Sequence, residues 1–268
     1  MPRSKDTIVI HSAREYEGMR AAGRLAAETL DFITPYVKAG THTDYLNRLC
    51  HDFITERGGI CAPLNYNGFP KSICTSINEV VCHGIPKKSD ILRDGDIINI
   101  DVTPTLDGWH GDTSRMFLVG EVSEEARKLV ETTYECMMRG IGVVKPGATV
   151  GDIGHAIQSF AEAKGYSVVE DFCGHGLGQT FHTAPQILHY GRPGKGDVLR
   201  AGMFFTVEPM INIGTKRSRV LDDDWTAVTL DGSLSAQFEH SIAVTEDGYE
   251  IFTGSPLGWT EPPDLPGS

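Results

Sequence analysis

The sequence predicts an α+β protein in which two similar halves share one mainly antiparallel sheet. Three observations carry this expectation. Four stretches repeat apolar residues with helical spacing, strand-like alternation follows each pair of helices rather than separating them, and the second pair overlies the first at a constant offset of 107 residues. A chain of 268 residues that is 40% hydrophobic has ample apolar material for one large domain of this kind.

The first helix signal opens at Ser12, where Ser12 and Glu15 form an S-x-x-E capping box ahead of Met19, Ala22, Ala26, Leu30 and Ile33. Pro35 and Gly40 close it. A second helix starts near Thr41 to Asp44, buries Leu46, Leu49, Cys50, Phe53 and Ile54, and stops at Gly58-Gly59. A third begins at Ser123 with Leu129, Val130, Thr133, Cys136 and Met137 on one side. A fourth runs from about Val150 to Lys164 with Ile153, Ala156, Ile157 and Phe160. The offset aligns Arg20 with Arg127, Glu28 with Glu135, Val37 with Val144, Lys38 with Lys145, Gly40 with Gly147, Phe53 with Phe160 and Gly58 with Gly165, without a gap. Matched helices, stops and glycines point to an ancient duplication, with a single domain at 12–253 and halves of about 12–119 and 120–253. Residues 1–11 are then an N-terminal extension, and 254–268, with Pro262, Pro263 and Pro266, a loose C-terminal tail.

Strands follow each helix pair. Ile97 to Thr103 places Asn99, Asp101 and Thr103 on one face and isoleucine and valine on the other. Asp107-Gly108 is a two-residue hairpin signal, so Asp112 to Val119 returns and Thr103 faces Asp112. A second hairpin is expected at Asp231-Gly232, joining Trp225–Leu230 to Ser233–Val244. Its return strand sets Ser235, Gln237, Glu239 and Ser241 against Ala236, Phe238, His240 and Ile242.

The 24 basic and 36 acidic side chains give a net charge of −12, which disfavours polyanion partners such as DNA. Lys216-Arg217-Ser218-Arg219 is the one basic cluster. Six cysteines, at 50, 61, 74, 82, 136 and 173, include no C-x-x-C pair, as expected of reduced thiols in a cytoplasmic protein. No apolar run is long enough for a signal peptide or a membrane span, so no membrane role is expected.

The acidic residues do not all read as surface. Asp101 and Asp112 are diagonal neighbours on one sheet face, roughly 7 Å apart, and repel each other unless a positive charge lies between them. Isolated aspartates usually face solvent, but Asn99 and Thr103 line this same face of an otherwise apolar strand. Glu208 in Phe204-Phe205-Thr206-Val207-Glu208 and Glu239 in Ala236-Gln237-Phe238-Glu239 sit in apolar strands, where each asks for a cation or an arginine. His175, flanked by Gly174 and Gly176, adds an imidazole open to close approach. Two aspartates, two glutamates and one histidine suit a pair of divalent ions better than a thiolate zinc site.

These residues fall within longer motifs: Asn65-Tyr66-Asn67-Gly68-Phe69-Pro70-Lys71-Ser72, Asn78-Glu79-Val80-Val81-Cys82-His83-Gly84, Ile100-Asp101-Val102 with Gly111-Asp112, Cys173-Gly174-His175-Gly176 with Phe181-His182, Thr206-Val207-Glu208-Pro209-Met210, and Gln237-Phe238-Glu239-His240. Over Glu15 to Phe252 the chain resembles the type I methionine aminopeptidases of the pita-bread (creatinase/aminopeptidase) fold in metallopeptidase family M24. The resemblance implies two pseudo-symmetric halves around a curved antiparallel sheet. It also implies Asp101, Asp112, His175, Glu208 and Glu239 as ligands of two divalent ions (cobalt, manganese, iron, nickel or zinc), with Asp112 and Glu239 bridging. Glu208 is implied as the general base, and His83 and His182 as contacts to the reacting amide and the substrate backbone. The methionine pocket matches Tyr66, Phe69, Cys74, Phe181 and Trp225. Pro63 and Asn67 depart from the cysteine and histidine common in bacterial relatives. A monovalent cation near Asn78, Val80 and Ser235 is also implied.

The expected activity is removal of N-terminal methionine from peptides and nascent chains, by a monomer, favouring a small second residue. Transient contact of the 216–219 loop with the ribosome goes with it. Competing readings are an Xaa-Pro dipeptidase or aminopeptidase of the same fold, and a metal-free, ribosome-associated homologue. The first helix signal at Ser12 leaves little room for the extra N-terminal domain of the former, and five intact ligands argue against the latter. The short span from Glu208 to Glu239 excludes the helical insertion of the type II enzymes.

Overall fold

The computed structural model describes residues 7–259. The first half contributes α1 (Glu15–Ile33), α2 (Thr43–Glu56), β1 (Ile60–Cys61), β2 (Cys74–Ile77), β3 (Val80–Cys82), β4 (Ile97–Val102), β5 (Pro104–Leu106), β6 (Trp109–His110) and β7 (Thr113–Leu118). The second contributes α3 (Glu124–Gly142), α4 (Val150–Ala163), β8 (Ser167–Val168), β9 (Gly174–Gly176), β10 (Thr183–Ile187), β11 (Phe204–Val207), β12 (Met210–Asn212), β13 (Ser218–Val220), β14 (Ala227–Thr229), β15 (Ser235–Gln237), β16 (Glu239–Val244) and β17 (Tyr249–Ile251). The α+β architecture matches the expectation. An antiparallel sheet in the order β10-β9-β11-β16-β7-β4-β2, with β17 on β16, joins the halves at β7 and β16.

The duplication extends well beyond the helices. Helices α2 and α4 begin and end at positions 107 apart. The same offset relates the bridge His42↔Ile91 to Thr149↔Val198, and the ladder Ile60↔Thr105, Cys61↔Pro104 to Ser167↔Asn212, Val168↔Ile211. Few side chains are shared across these pairs, but the backbone path is.

Each helix pair covers one end of the sheet. Ala26, Leu30, Ile33, Leu46 and Cys50 pack on Ile98, Ile100, Val102 and Phe117. Met137, Ile141, Ile153 and Ile157 pack on Phe205, Val207, Ile242 and Val244. Each fully buried large apolar side chain here contributes roughly 1.5–3 kcal/mol. Because successive strand residues point to opposite faces, burying this face turns Asn99 and Asp101 the other way.

The helix starts are set locally. Ser123 Oγ accepts the Ala126 N–H at 3.1 Å, and Thr149 with Asp152 forms a complete capping box. His42 Nδ1 caps α2 through the Tyr45 N–H at 3.0 Å. Only half of the Ser12 box forms: the Glu15 carboxylate accepts the Ser12 N–H and hydroxyl, both at 2.7 Å, and α1 begins at Glu15. Asp107 (φ 49°) and Gly108 (φ 82°) make the hairpin turn, and the expected register holds in both ladders, Thr105–Leu106 on Trp109–His110 and Ile97–Val102 on Thr113–Leu118, on either side of a break at Thr103 and Asp112.

Two expectations need correction. Asp231-Gly232 is a turn, but the strands around it do not pair with each other: β14 lies between β13 and β3, whereas β15 pairs with β12. The return strand itself breaks into β15 and β16 at Phe238, whose ring enters the helical core. The expected tail is tied down at its start, since Ser255 Oγ donates to both carboxylate oxygens of Asp31 at 2.9 and 2.8 Å. Pro262, Pro263 and Pro266 lie outside the described residues, as does most of the N-terminal extension, of which His11 stacks on Phe204 with ring centroids 4.1 Å apart. Among the described residues no helix is long and apolar enough to cross a membrane, and all six cysteines are free thiols.

Candidate active site and metal centre

The polar face of the sheet gathers the five acidic and imidazole side chains. Asp101 and Glu239 both pair with Ser114, from β4 and β16 on either side of β7. Continuing the β11–β16 register past Val207↔His240 brings Glu208 opposite Glu239. Asp112 precedes β7 and is aimed by Thr103 Oγ1, which donates to its Oδ1 at 2.7 Å, while Ser241 Oγ donates to its carbonyl at 2.6 Å. His175 comes from β9. Its flanking glycines admit neighbouring strands: a Cβ on Gly174 would lie 2.5 Å from the Thr206 carbonyl oxygen, and one on Gly176 only 2.1 Å from that of Ala184.

Ligand-capable atoms of Asp112, His175 and Glu239 lie within 4.8 Å of one another. His175 Nε2 is 3.5 Å from Asp112 Oδ2 and 3.7 Å from Glu208 Oε1. Asp101 lines the same cavity, and its Oδ1 is buried with no hydrogen-bond partner. The charges do not balance. Burial, compounded by the charges of Asp112 and Glu208, pushes the Asp101 carboxyl well above the usual range, and burial with the neighbouring carboxylates does the same to Glu239. Burial raises Glu208 to about 7, against the opposing pull of His175 and Thr206. Burial also opposes the charged form of His175, but its bond to Asp112 and the charges of Glu208 and Asp112 outweigh this and hold it at about 9.

Four buried carboxylates facing one imidazole need further positive charge, and an orphaned oxygen needs a partner. His175 Nδ1 lies 3.1 Å from the Gly176 carbonyl, an oxygen that only accepts, so Nδ1 bears the proton and Nε2 points at the carboxylates. An oxygen-rich donor set with one such nitrogen fits divalent cations.

Several supporting groups escaped the sequence reading. Thr206 Oγ1 donates to Glu208 Oε1 at 2.7 Å and accepts the His175 N–H at 3.0 Å. Gln237 Nε2 lies 3.3 Å from Glu208 Oε2. The fully buried His189 accepts the Glu208 N–H through Nε2 at 3.1 Å. Alternation places Gln237 on the face of Glu239 and, read the same way, Thr206 on that of Glu208, but it does not say what either side chain touches. His189 gives no such signal.

The same five side chains line a cavity of about 320 Å³. Tyr66, Phe69, Cys74, His83, Phe181, His182 and Trp225 all line it, as do Pro63 and Asn67. Trp225 meets Phe69 edge-on at 5.1 Å, and Tyr66 tilts against Phe181 at 4.9 Å. His110 stacks on Phe181 at 5.4 Å, and His182 Nδ1 is 3.0 Å from the Tyr66 hydroxyl. His83 sits at φ 57°, a left-handed conformation uncommon for residues with a side chain, and burial lowers its pKa. Away from the cavity, the Asn78 carbonyl accepts the Ser235 N–H at 2.9 Å, and Ser235 Oγ is buried without a partner. In the basic cluster, Lys216 Nζ is engaged by Glu170 at 2.7 Å.

Known proteins are similar to this chain in sequence and fold. The sequence model of metallopeptidase family M24 matches residues 17–246. A methionine aminopeptidase of Rickettsia prowazekii is 61% identical over 260 residues, covering 96% of this chain and 99% of that protein. That of Escherichia coli K12 is 52% identical over 247 residues, covering 92% and 94%. The crystal structure of the Rickettsia prowazekii enzyme superposes with a TM-score of 0.91 over 92% of this chain and all of its own. A Thermotoga maritima methionine aminopeptidase reaches the same score, over 92% of this chain and 99% of its own, at 39% identity. A Pyrococcus horikoshii prolidase at 20% identity and TM-score 0.72 shares the fold, with 91% of this chain spanning 63% of that one. Carboxylates and imidazole converging on a duplicated antiparallel frame, together with relatives this similar over nearly their whole length, place the chain in metallopeptidase family M24.

Proposed function

We propose that the chain is a methionyl aminopeptidase that removes N-terminal methionine from peptides and nascent chains carrying a small second residue. The observation that carries this reading is a wall of aromatic and sulfur-bearing side chains meeting a base of four carboxylates and one imidazole in a single cavity. Asp101, Asp112, His175, Glu208 and Glu239 would hold two divalent ions (cobalt, manganese, iron, nickel or zinc). Metal held there would lower the pKa of water toward about 7 and polarise the scissile carbonyl.

Glu208 takes the proton of the attacking water and returns it to the leaving amine as the C–N bond breaks. Thr206 and Gln237 hold that carboxylate in place. His83 contacts the reacting amide, and His182, oriented by Tyr66, the substrate backbone. The methionine side chain lies among Tyr66, Phe69, Cys74, Phe181 and Trp225, where each sulfur–aromatic contact is worth about 0.3–1.5 kcal/mol. At about 320 Å³ the cavity is small for a ligand site, which favours a small second residue. The unpartnered Ser235 Oγ supports a monovalent cation beside Asn78 and Val80. Ribosome contact through the 216–219 loop would fall to Arg217 and Arg219, because Lys216 is paired.

Metal-loaded protein should hydrolyse Met-Ala-Ser and leave N-acetylated Met-Ala-Ser and Xaa-Pro dipeptides intact. Cleavage of Xaa-Pro with Met-Ala-Ser untouched would favour the prolidase reading instead.

A further inference from the structure

Three of the side chains lining the cavity are exposed and so mark its mouth: Asn67, Asp171 and His182. Asp171 is the only carboxylate among them. It immediately precedes Phe172, which meets His83 edge-on at 5.5 Å inside the cavity. Its orientation is set from outside by β13: Asp171 Oδ2 accepts from the Ser218 hydroxyl at 2.6 Å and from the Ser218 N–H at 3.3 Å. Both bonds fall on one oxygen, which leaves Oδ1 to face other partners. The neighbouring Glu170 is ion-paired with Lys216 of the same loop, so its charge is offset. A cavity of about 320 Å³ holds a methionine and the reacting peptide unit but not an extended chain. Substrate residues beyond the second therefore pass the mouth.

We propose that Asp171 is a specificity-determining residue for the third residue of the substrate, favouring lysine or arginine there over glutamate or aspartate. The inference rests on the aminopeptidase reading above. Asp171 Oδ1 offers an acceptor to an ammonium or guanidinium group and repels a carboxylate in the same place. In so exposed a setting the pair changes rates by a few fold, not by orders of magnitude.

The test compares kcat/KM for Met-Ala-Lys-Gly, Met-Ala-Ser-Gly and Met-Ala-Glu-Gly on the metal-loaded enzyme. All three peptides are C-terminally amidated so that no terminal carboxylate competes. At low salt the expected order is Lys, Ser, Glu, with a Lys-to-Glu ratio of about five that shrinks toward one in about 0.5 M salt. In Asp171→Asn the ratio should fall to about one. A ratio unchanged by the substitution, or insensitive to salt, overturns the inference while leaving the aminopeptidase reading intact. Failure to cleave any of the three peptides overturns both.

Discussion

At positions made equivalent by the 107-residue offset and the matching ladders, the first half carries Ser76, Asp101, Asp112 and Ser114 where the second carries His175, Glu208, Gln237 and Glu239. Only the second position of the series is acidic in both halves. The duplicated backbone brings two similar strand faces together and makes the cavity between them. The unlike side chains then give that cavity a direction, with the single imidazole and both glutamates on one side. A fully symmetric site could not distinguish the amino end of a peptide from the chain that follows it. The opposite face of the sheet shows the same divergence. Arg115 and His240 are equivalent, yet Arg115 is a buried cation bonded to Asp31 at 2.9 Å, whereas His240 bonds to the Thr253 hydroxyl at 2.8 Å.

The comparison is most easily broken at Ser114 and Glu239. Glu239→Gln should cost about 10³-fold in kcat/KM, the equivalent of losing about 4 kcal/mol of metal-assisted stabilisation, with bound metal falling in parallel. Ser114→Ala, at the matching position, loses one hydrogen bond to Asn99 and should change kcat/KM by less than about threefold. Equal losses in the two variants would mean that the halves are not chemically distinct at this pair.

A smaller effect is expected behind the sheet. Asp31→Ala leaves Arg115 buried and unpaired and should lower stability by about 3 kcal/mol in urea denaturation. Thr253→Val, which removes the partner of His240, should cost about 1 kcal/mol. Comparable losses would show that the Arg115 side does not depend on its counter-charge.

A third effect concerns pH. Burial lowers His189 to about 3, and burial together with the charge of Arg115 lowers His240 to about 4. Both are therefore neutral in the folded protein near pH 7. Their contribution is fully present above the unfolded value of about 6.5 and is lost as pH falls from there toward 3–4, because the unfolded chain binds the protons first. By pH 5 each loss amounts to about 2 kcal/mol. The urea midpoint of the wild type should accordingly fall more steeply between pH 7 and pH 5 than that of His189→Gln. Parallel slopes would place the acid sensitivity elsewhere.

Much of this was legible in the residues. Ser123 and the glycines at 40, 58, 147 and 165 mark helix boundaries because caps and left-handed stops are local requirements. Asp107-Gly108 sets a register because a two-residue turn leaves no slack, and that register aims Asp101 and Asp112 at one face. Asp231-Gly232 misled because the same turn signal does not say where its flanking strands go. There β12 and β3 compete for the flanking strands and win. His189 and Asp171 were silent because their roles depend on partners, Glu208 and Ser218, that come close only through the sheet and the cavity rim.

By itself, the sequence determined the four helices, the first hairpin, the duplication and the four carboxylates whose burial asks for positive charge. Each of these follows from short-range stereochemistry or from the cost of placing charge in an apolar strand. The tertiary structure alone decided which carboxylates approach the imidazole and which hydrogen bonds aim them. Those outcomes are set by strand order and packing between the halves, where a shift of one residue would turn a strand's side chains to the other face.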